Sequence, residues 1–282
     1  MLFFERCEEY MVNWLKQVLG KGWEVTPAGG LTGDAYLATK ENRRLFLKRN
    51  SSPFLAVLSA EGIVPKLIWT KRMENGDVIT AQEWLDGREL KPAEMQRYQV
   101  AELLRKIHDS SELLHMLMRI GKKPVTSDEG FLYITGRLQQ LGIAEKHASV
   151  ATAMSYLEQM LPVTRHQQQV VCHGDLNHNN ILLTNEGHLY LIDWDNAMIA
   201  DPVIDYGMVL KWYIPQSEWD DWLHQYGISM DRELVERMFW YLLVDALHYV
   251  CWHSERNEFD KVTERLHNLD ELNSYIKTSI LL

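Results

Sequence analysis

Cysteine is scarce in this sequence: Cys7, Cys172 and Cys251 are three of 282 residues, an odd number spread over the whole length. That distribution supports neither a disulfide framework nor a Cys-x-x-Cys metal site, and it fits a reducing, cytoplasmic compartment. Positive charge is also in deficit. With 29 Lys and Arg against 39 Asp and Glu, the net charge is −10, which argues against a sequence-independent nucleic-acid binder with a large cationic face. No apolar run reaches the roughly 20 residues of a membrane-spanning helix; the most apolar stretch, 238–252, is interrupted by Asp245 and His248. The first residues, Met1-Leu2-Phe3-Phe4, run straight into Glu5, Arg6, Glu8 and Glu9, so no signal-peptide core is formed. Repeats, low-complexity tracts and flexible linkers are absent, as is the Gly-x-x-x-x-Gly-Lys-Ser/Thr pattern of a P-loop. The remaining composition is ordinary, 46% hydrophobic and 24% charged, and is sufficient for one large or two modest globular domains.

The two ends of the chain differ in texture. Residues 1–20 carry an amphipathic helical pattern (Tyr10, Met11, Trp14, Leu15, Val18) closed by Gly20 and Gly22, and are expected to form an N-terminal helical extension over 1–22. Short strand-like runs follow at 23–25, 35–39, 45–48, 67–69 and 78–84, with Asn75-Gly76 as a strong hairpin signal. From about Lys91 long helical patterns dominate, including 95–108 and 232–252, interrupted by a strand-rich segment at 170–194. The expectation is an α+β chain: a small antiparallel β lobe over 23–85 and a larger, mainly helical lobe over 86–282.

The segment Val170-Val171-Cys172-His173-Gly174-Asp175-Leu176-Asn177-His178-Asn179-Asn180 leads from an apolar strand into a polar loop. A second strand, 188–192, then ends in Asp193-Trp194-Asp195. A hairpin between them would bring Asp175, Asn180 and Asp193 to one rim. Phosphoryl transfer from a magnesium nucleotide needs such a set, a carboxylate for the attacking hydroxyl and oxygen ligands for Mg²⁺. A transition-metal cluster of His173, His178, Asp175 and Asp193 fits less well, because the spacing matches no His-Glu-x-x-His helix and hard oxygen ligands favour Mg²⁺. Upstream, Gly29-Gly30-Leu31-Thr32-Gly33 lies between two strand patterns, and Lys48 ends another. Alone, the first reads as a turn and the second as a solvated edge lysine.

His173-Gly174-Asp175-Leu176-Asn177-His178-Asn179-Asn180 followed by Leu191-Ile192-Asp193-Trp194-Asp195 resembles the catalytic-loop and metal-loop pair of the aminoglycoside phosphotransferase and choline kinase superfamily, relatives of protein kinases. The resemblance implies a bilobal protein-kinase-like fold using ATP and Mg²⁺, with Asp175 as catalytic carboxylate and His173 bracing its loop. Asn180 and Asp193 become the Mg²⁺ ligands. Asp195 becomes a further metal partner or a substrate contact. Gly29, Gly30 and Gly33 would cover the phosphates and Lys48 would pair with them, oriented by Glu61. Gln82, Glu83, Trp84 and Leu85 match the segment that receives adenine. Asp205, in Asp201-Pro202-Val203-Ile204-Asp205, matches a structural brace behind the catalytic loop.

The runs 47–53, 60–69, 81–85 and 189–195 further resemble the YtmP/CcrZ group of Gram-positive bacteria. That likeness implies phosphorylation of a small hydroxyl compound of ribose or deoxyribose type, a link to cell division through a division-machinery protein, and a location at the division site. Choline or aminoglycoside phosphorylation, and a nucleotide-binding scaffold, are the alternatives. Residues 205–282 hold 14 Asp and Glu against 7 Lys and Arg, which would suit a cationic acceptor or simply a solvated face. Trp212, Trp219, Trp222, Trp240 and Trp252 would line a cleft or pack a core.

Overall fold

A computed structural model describes residues 2–29 and 35–279. The chain begins with α1 (Leu2–Leu19), β1 (Glu24–Gly29), β2 (Ala35–Lys40), β3 (Arg43–Arg49), α2 (Phe54–Ala60), β4 (Leu67–Arg72), β5 (Val78–Glu83) and β6 (Gly87–Glu89). It continues through α3 (Tyr98–His108), α4 (Ser111–Arg119), α5 (Ser127–Leu141), α6 (Ala148–Met160), β7 (Val170–Cys172), β8 (Ile181–Thr184), β9 (Leu189–Leu191) and β10 (Met198–Ala200). It closes with α7 (Val203–Tyr213), α8 (Trp219–Tyr226), α9 (Arg232–Glu255) and α10 (Phe259–Ser279). The class is α+β, as the sequence texture implies. No helix among the described residues is long and apolar enough to cross a membrane.

Two compact units are present, residues 1–89 with 181–195, and residues 90–180 with 196–282. In the first, an antiparallel sheet runs in the order β1-β2-β3-β5-β4. The expected Asn75-Gly76 turn joins β4 to β5: Gly76 takes φ +91° and Asn75 Oδ1 accepts the Asp77 N–H at 3.0 Å, a backbone shape that glycine adopts without a Cβ penalty. Successive strand residues face opposite ways, so Leu45, Leu47 and Ala81 join Val25, Tyr36, Ala38 and Ile79 on one face. Met11 and Leu15 of α1 bury themselves against that face. The helix α1 spans Leu2–Leu19, and its Met11 and Leu15 belong to the sheet's own core rather than to an extension standing apart.

The boundary near residue 86 also differs in one respect. Segment 181–195 was expected within a continuous 86–282 lobe, whereas it groups with the first unit. Strand pairing is the reason: β8 lies between β6 and β9, and the Leu191 N–H donates to the Ile63 carbonyl at 2.9 Å.

The second unit is built around α9, whose buried Leu234, Met238, Phe239, Leu242, Leu243, Leu247 and Val250 recur at helical spacing. It packs against α5, α6, α7 and α10. Asp231 caps its N-terminus by accepting the Leu234 N–H at 2.7 Å, satisfying a donor that the helix itself cannot. Trp219, Trp222 and Trp240 are core residues here, while Trp212 and Trp252 are exposed. Packing therefore accounts for three of the five tryptophans that sequence alone left open.

Candidate functional site

In the second unit, β7 delivers the chain into a loop whose shape is imposed from beneath. The Asp205 carboxylate, on the first turn of α7, accepts the His173 N–H at 2.7 Å and the Gly174 N–H at 3.0 Å. These two backbone donors would otherwise be buried without partners. Asp205 is itself held by His108, whose Nε2 lies 3.1 Å from Oδ2, and His108 Nδ1 lies 2.7 Å from the Tyr226 hydroxyl. Burial pushes the Asp205 carboxyl up, but the hydrogen bond and charge of His108 more than offset this and leave it below its ordinary value. The Asp205 carboxylate thus holds the loop through two backbone hydrogen bonds, and His173 is wholly buried within it.

Gly174 has φ +78°, and a Cβ placed there would stand 2.8 Å from the Asn196 carbonyl oxygen. Only glycine fits that left-handed, crowded position. The turn presents Asp175, whose carboxylate faces two amides. Asn177 Nδ2 is 3.4 Å from Oδ1, and Asn180 Nδ2 is 3.4 Å from Oδ2 while donating at 2.8 Å to the Asp175 carbonyl. His178, read in sequence as a candidate metal ligand, is engaged by the Tyr213 hydroxyl, 3.1 Å from Nδ1.

The first unit presents a second group. Lys48 Nζ on β3 lies 3.1 Å from Asp195 Oδ2 and 3.5 Å from Asp193 Oδ1. Both carboxylates are well exposed, at 54% and 69%, against 28% for Lys48. Asp193 has φ +64°, a strained setting for a residue with a Cβ and one that recurs where side chains are aimed for function. The anchor is Trp194, buried between the two acids: its Nε1 donates to the Leu191 carbonyl at 2.8 Å and its ring meets Phe54 edge-on at 5.7 Å.

Glu61, expected to orient Lys48, instead forms the C-cap of α2. Among the described residues, the carboxylates that the structure pairs with Lys48 are Asp193 and Asp195. Gln82 is buried, with Nε2 donating to the Pro65 carbonyl at 2.8 Å. The N–H groups of Glu83 and Trp84 donate to the Lys66 and Arg44 carbonyls, and Leu85 is half-buried. Gly29 ends β1 opposite Ala35; Gly30 and Gly33 lie outside the described residues.

Sequence reasoning missed His108, Tyr226 and Asp245. The first two lie 97 and 118 positions from their partners, and no local pattern announces such a contact. Asp245 had a signal, an acid inside an apolar helix. Burial raises its carboxyl to about 6, with Arg265 opposing and Asp175 adding to the rise. His108, Cys172 and Asp205 converge as metal ligands might, but both His108 nitrogens are engaged. Burial also holds the Cys172 thiol well above its ordinary pKa. The cluster is a hydrogen-bonded brace.

The sequence profile described as the phosphotransferase enzyme family (APH) matches residues 24–238. Solved structures share the fold at low identity. The choline kinase LicA from Streptococcus pneumoniae superposes with a TM-score of 0.70 at 18% identity, covering 95% of this chain and 99% of that one. The spectinomycin phosphotransferase APH(9)-Ia, solved with ADP and spectinomycin, gives 0.67 at 16% identity, covering 95% and 93%. The GDP complex of wild-type aminoglycoside 2'-phosphotransferase-IIIa gives 0.67 at 16%, covering 94% and 98%.

Proposed function

This chain belongs to the phosphotransferase enzyme family, and we propose that it transfers the γ-phosphoryl group of ATP, with Mg²⁺, to a hydroxyl of a small sugar-like acceptor of ribose or deoxyribose type. The observation that carries this reading is the Asp175 carboxylate, presented on a loop pinned through two backbone N–H groups and flanked by the Asn177 and Asn180 amides. A carboxylate so held can accept a hydrogen bond from the attacking hydroxyl and take its proton as the new P–O bond forms.

The donor chemistry of the remaining residues fits a magnesium nucleotide. Asp193 and Asn180 supply hard oxygen atoms of the kind Mg²⁺ takes, and the ion when bound neutralises charge on the phosphates. Asp195 supports Asp193 or contacts the acceptor. Lys48, already held by carboxylates, is a cation able to pair with phosphate oxygens, and the Gly29–Gly33 segment would cover them. Solved relatives of the same fold were crystallised with ADP and GDP, which agrees with a nucleotide donor.

The pentose-type acceptor and the link to cell division, with a division protein as partner and the division site as location, rest on the YtmP/CcrZ resemblance. Choline or an aminoglycoside is the competing acceptor, favoured by the acidic 205–282 segment and by the substrates named for the solved relatives. An ADP-release screen over ribose, deoxyribose, nucleosides, choline and aminoglycosides, run beside Asp175→Ala, decides between them. Turnover with ribose-type compounds that vanishes in the variant is expected; turnover confined to amines overturns the acceptor assignment. If Asp175→Ala fully restores function in cells lacking the protein, it acts as a scaffold rather than by catalysis.

A further inference from the structure

The first unit contains a cleft of about 630 Å³ away from Lys48, between the C-terminal end of α1 and the β3, β4 and β5 strands. Its position follows from strand alternation. Leu45 lines the cleft and belongs, with Leu47 and Ala81, to the sheet face that α1 covers. Lys48, of opposite parity to Leu45 and Leu47, pairs with Thr80 on the other face. The cleft and the Lys48 carboxylate group are therefore on opposite sides of β3.

Three tryptophans from separate segments converge there: Trp23 before β1, Trp69 on β4 and Trp84 after β5. All three are half-buried, and the Lys71 ammonium lies over the Trp69 ring, 5.3 Å from its centroid. The rim is cationic. Arg44 is tied to Asp86, but the exposed side chains of Arg43 and Lys66 have no hydrogen-bond or ion-pair partner among the described residues. Glu83 is the one acid in the lining. In a chain of net charge −10, two uncommitted cations beside three half-buried indoles form a local exception to the prevailing charge.

We propose that this cleft binds a planar aromatic ring carrying an anionic group, of nucleoside-monophosphate size, at a site separate from that of Lys48. The ring stacks on indole faces, which attract any aromatic base irrespective of its hydrogen-bonding edge. The anion is received by Arg43 and Lys66 through charge-assisted hydrogen bonds. The volume lies within the range of small-molecule sites, about 300–1,000 Å³. Because α1 forms one wall through Val18 and Leu19, a ligand there would also tie α1 to the sheet. The inference does not depend on the phosphotransfer reading: Arg43, Lys66, Trp23 and Trp69 have no part in that reaction, and of the lining only Glu83 and Trp84 are shared with the segment matched above to adenine.

Equilibrium dialysis with AMP on the full-length chain provides the test. Wild type is expected to bind two AMP per chain, with the paired substitution Lys48→Ala and Asp193→Ala removing one. Arg43→Gln with Lys66→Gln should weaken the other at least tenfold, and Trp69→Leu should weaken it as well. Both cations are on the surface, so an unchanged circular dichroism spectrum is expected of their variant. Adenosine and inorganic phosphate, each lacking half of the recognised chemistry, should bind this site at least tenfold more weakly than AMP. No AMP bound by the Lys48→Ala, Asp193→Ala protein, unaltered affinity in the Arg43→Gln, Lys66→Gln protein, or inorganic phosphate binding as tightly as AMP would each overturn the proposal.

Discussion

His108 Nε2 lies 3.1 Å from Asp205 Oδ2, and the two side chains are 2% and 1% exposed. Through this contact a residue at the end of α3 reaches the loop that carries Asp175, since the same carboxylate accepts the His173 and Gly174 N–H groups. Tyr226, against the other imidazole nitrogen, completes a buried chain of hydrogen bonds. Such networks favour one backbone conformation when every member is satisfied.

Asp205→Asn replaces an acceptor of two backbone donors with a group that offers one oxygen and an N–H₂ facing one of them. We expect a stability loss of about 1–3 kcal/mol at neutral pH, the penalty for an unsatisfied buried donor, with a fall in turnover of at least tenfold. The pH dependence has a definite sign. Burial raises the Asp205 carboxyl, but His108 and the loop N–H more than offset it, and the folded value lies below the ordinary 3.8. The folded protein therefore binds this proton less readily than the unfolded chain. The stabilisation is complete above the unfolded value and is lost as pH falls through the folded one. Denaturation at pH 7 and pH 3 should show the gap between wild type and Asp205→Asn narrowing in acid.

Asp245 has the opposite sign. Burial holds its carboxyl at about 6, with Arg265 opposing and Asp175 reinforcing. The folded chain keeps this proton at pH values where the unfolded chain has lost it, so stability is drained as pH rises from about 4 to 6 and stays reduced above. Asp245→Asn should therefore be more stable than wild type at pH 8, by up to about 3 kcal/mol for a shift of this size. Thermal melts at pH 8 and pH 4 check this; an equal gain at both values would show that ionisation is not its origin.

Lys48→Met separates stability from function. Its partners Asp193 and Asp195 are exposed, and exposed ion pairs contribute about 0–1 kcal/mol, so urea denaturation should change little. Catalytic efficiency should fall by about 10²–10³-fold, as when one electrostatic donor to a developing charge is removed. Initial-rate kinetics with ATP as the varied substrate make the comparison.

Gly174→Ala probes backbone geometry alone. The added methyl would stand 2.8 Å from the Asn196 oxygen and 2.9 Å from Met198 Cε, at a residue with φ +78°. A left-handed alanine costs about 1–2 kcal/mol before any clash, so a loss above 2 kcal/mol is expected, with turnover reduced because Asp175 is the next residue. A variant as stable and active as wild type would show that the loop tolerates another path.

Much of this was legible in order and spacing. The Asn75-Gly76 hairpin, the strand-rich 170–194 segment and the long apolar α9 follow from turn chemistry and hydrophobic period, which are local properties of the chain. So does the loop of Asp175 and Asn180, because a bracing interaction five residues apart is written into consecutive positions. The chain alone therefore determined the α+β texture, the family and the identity of the candidate reactive groups. What only the tertiary structure decided are relationships between distant segments: that Lys48 pairs with Asp193 and Asp195 while Glu61 ends a short helix, that His108 and Tyr226 stand behind Asp205, that 181–195 groups with the first unit through β6, and that Trp23, Trp69 and Trp84 share one cleft. Their physical reason is common. Which remote groups meet depends on how strand pairing and apolar burial close the chain on itself, and no window of sequence contains that sum.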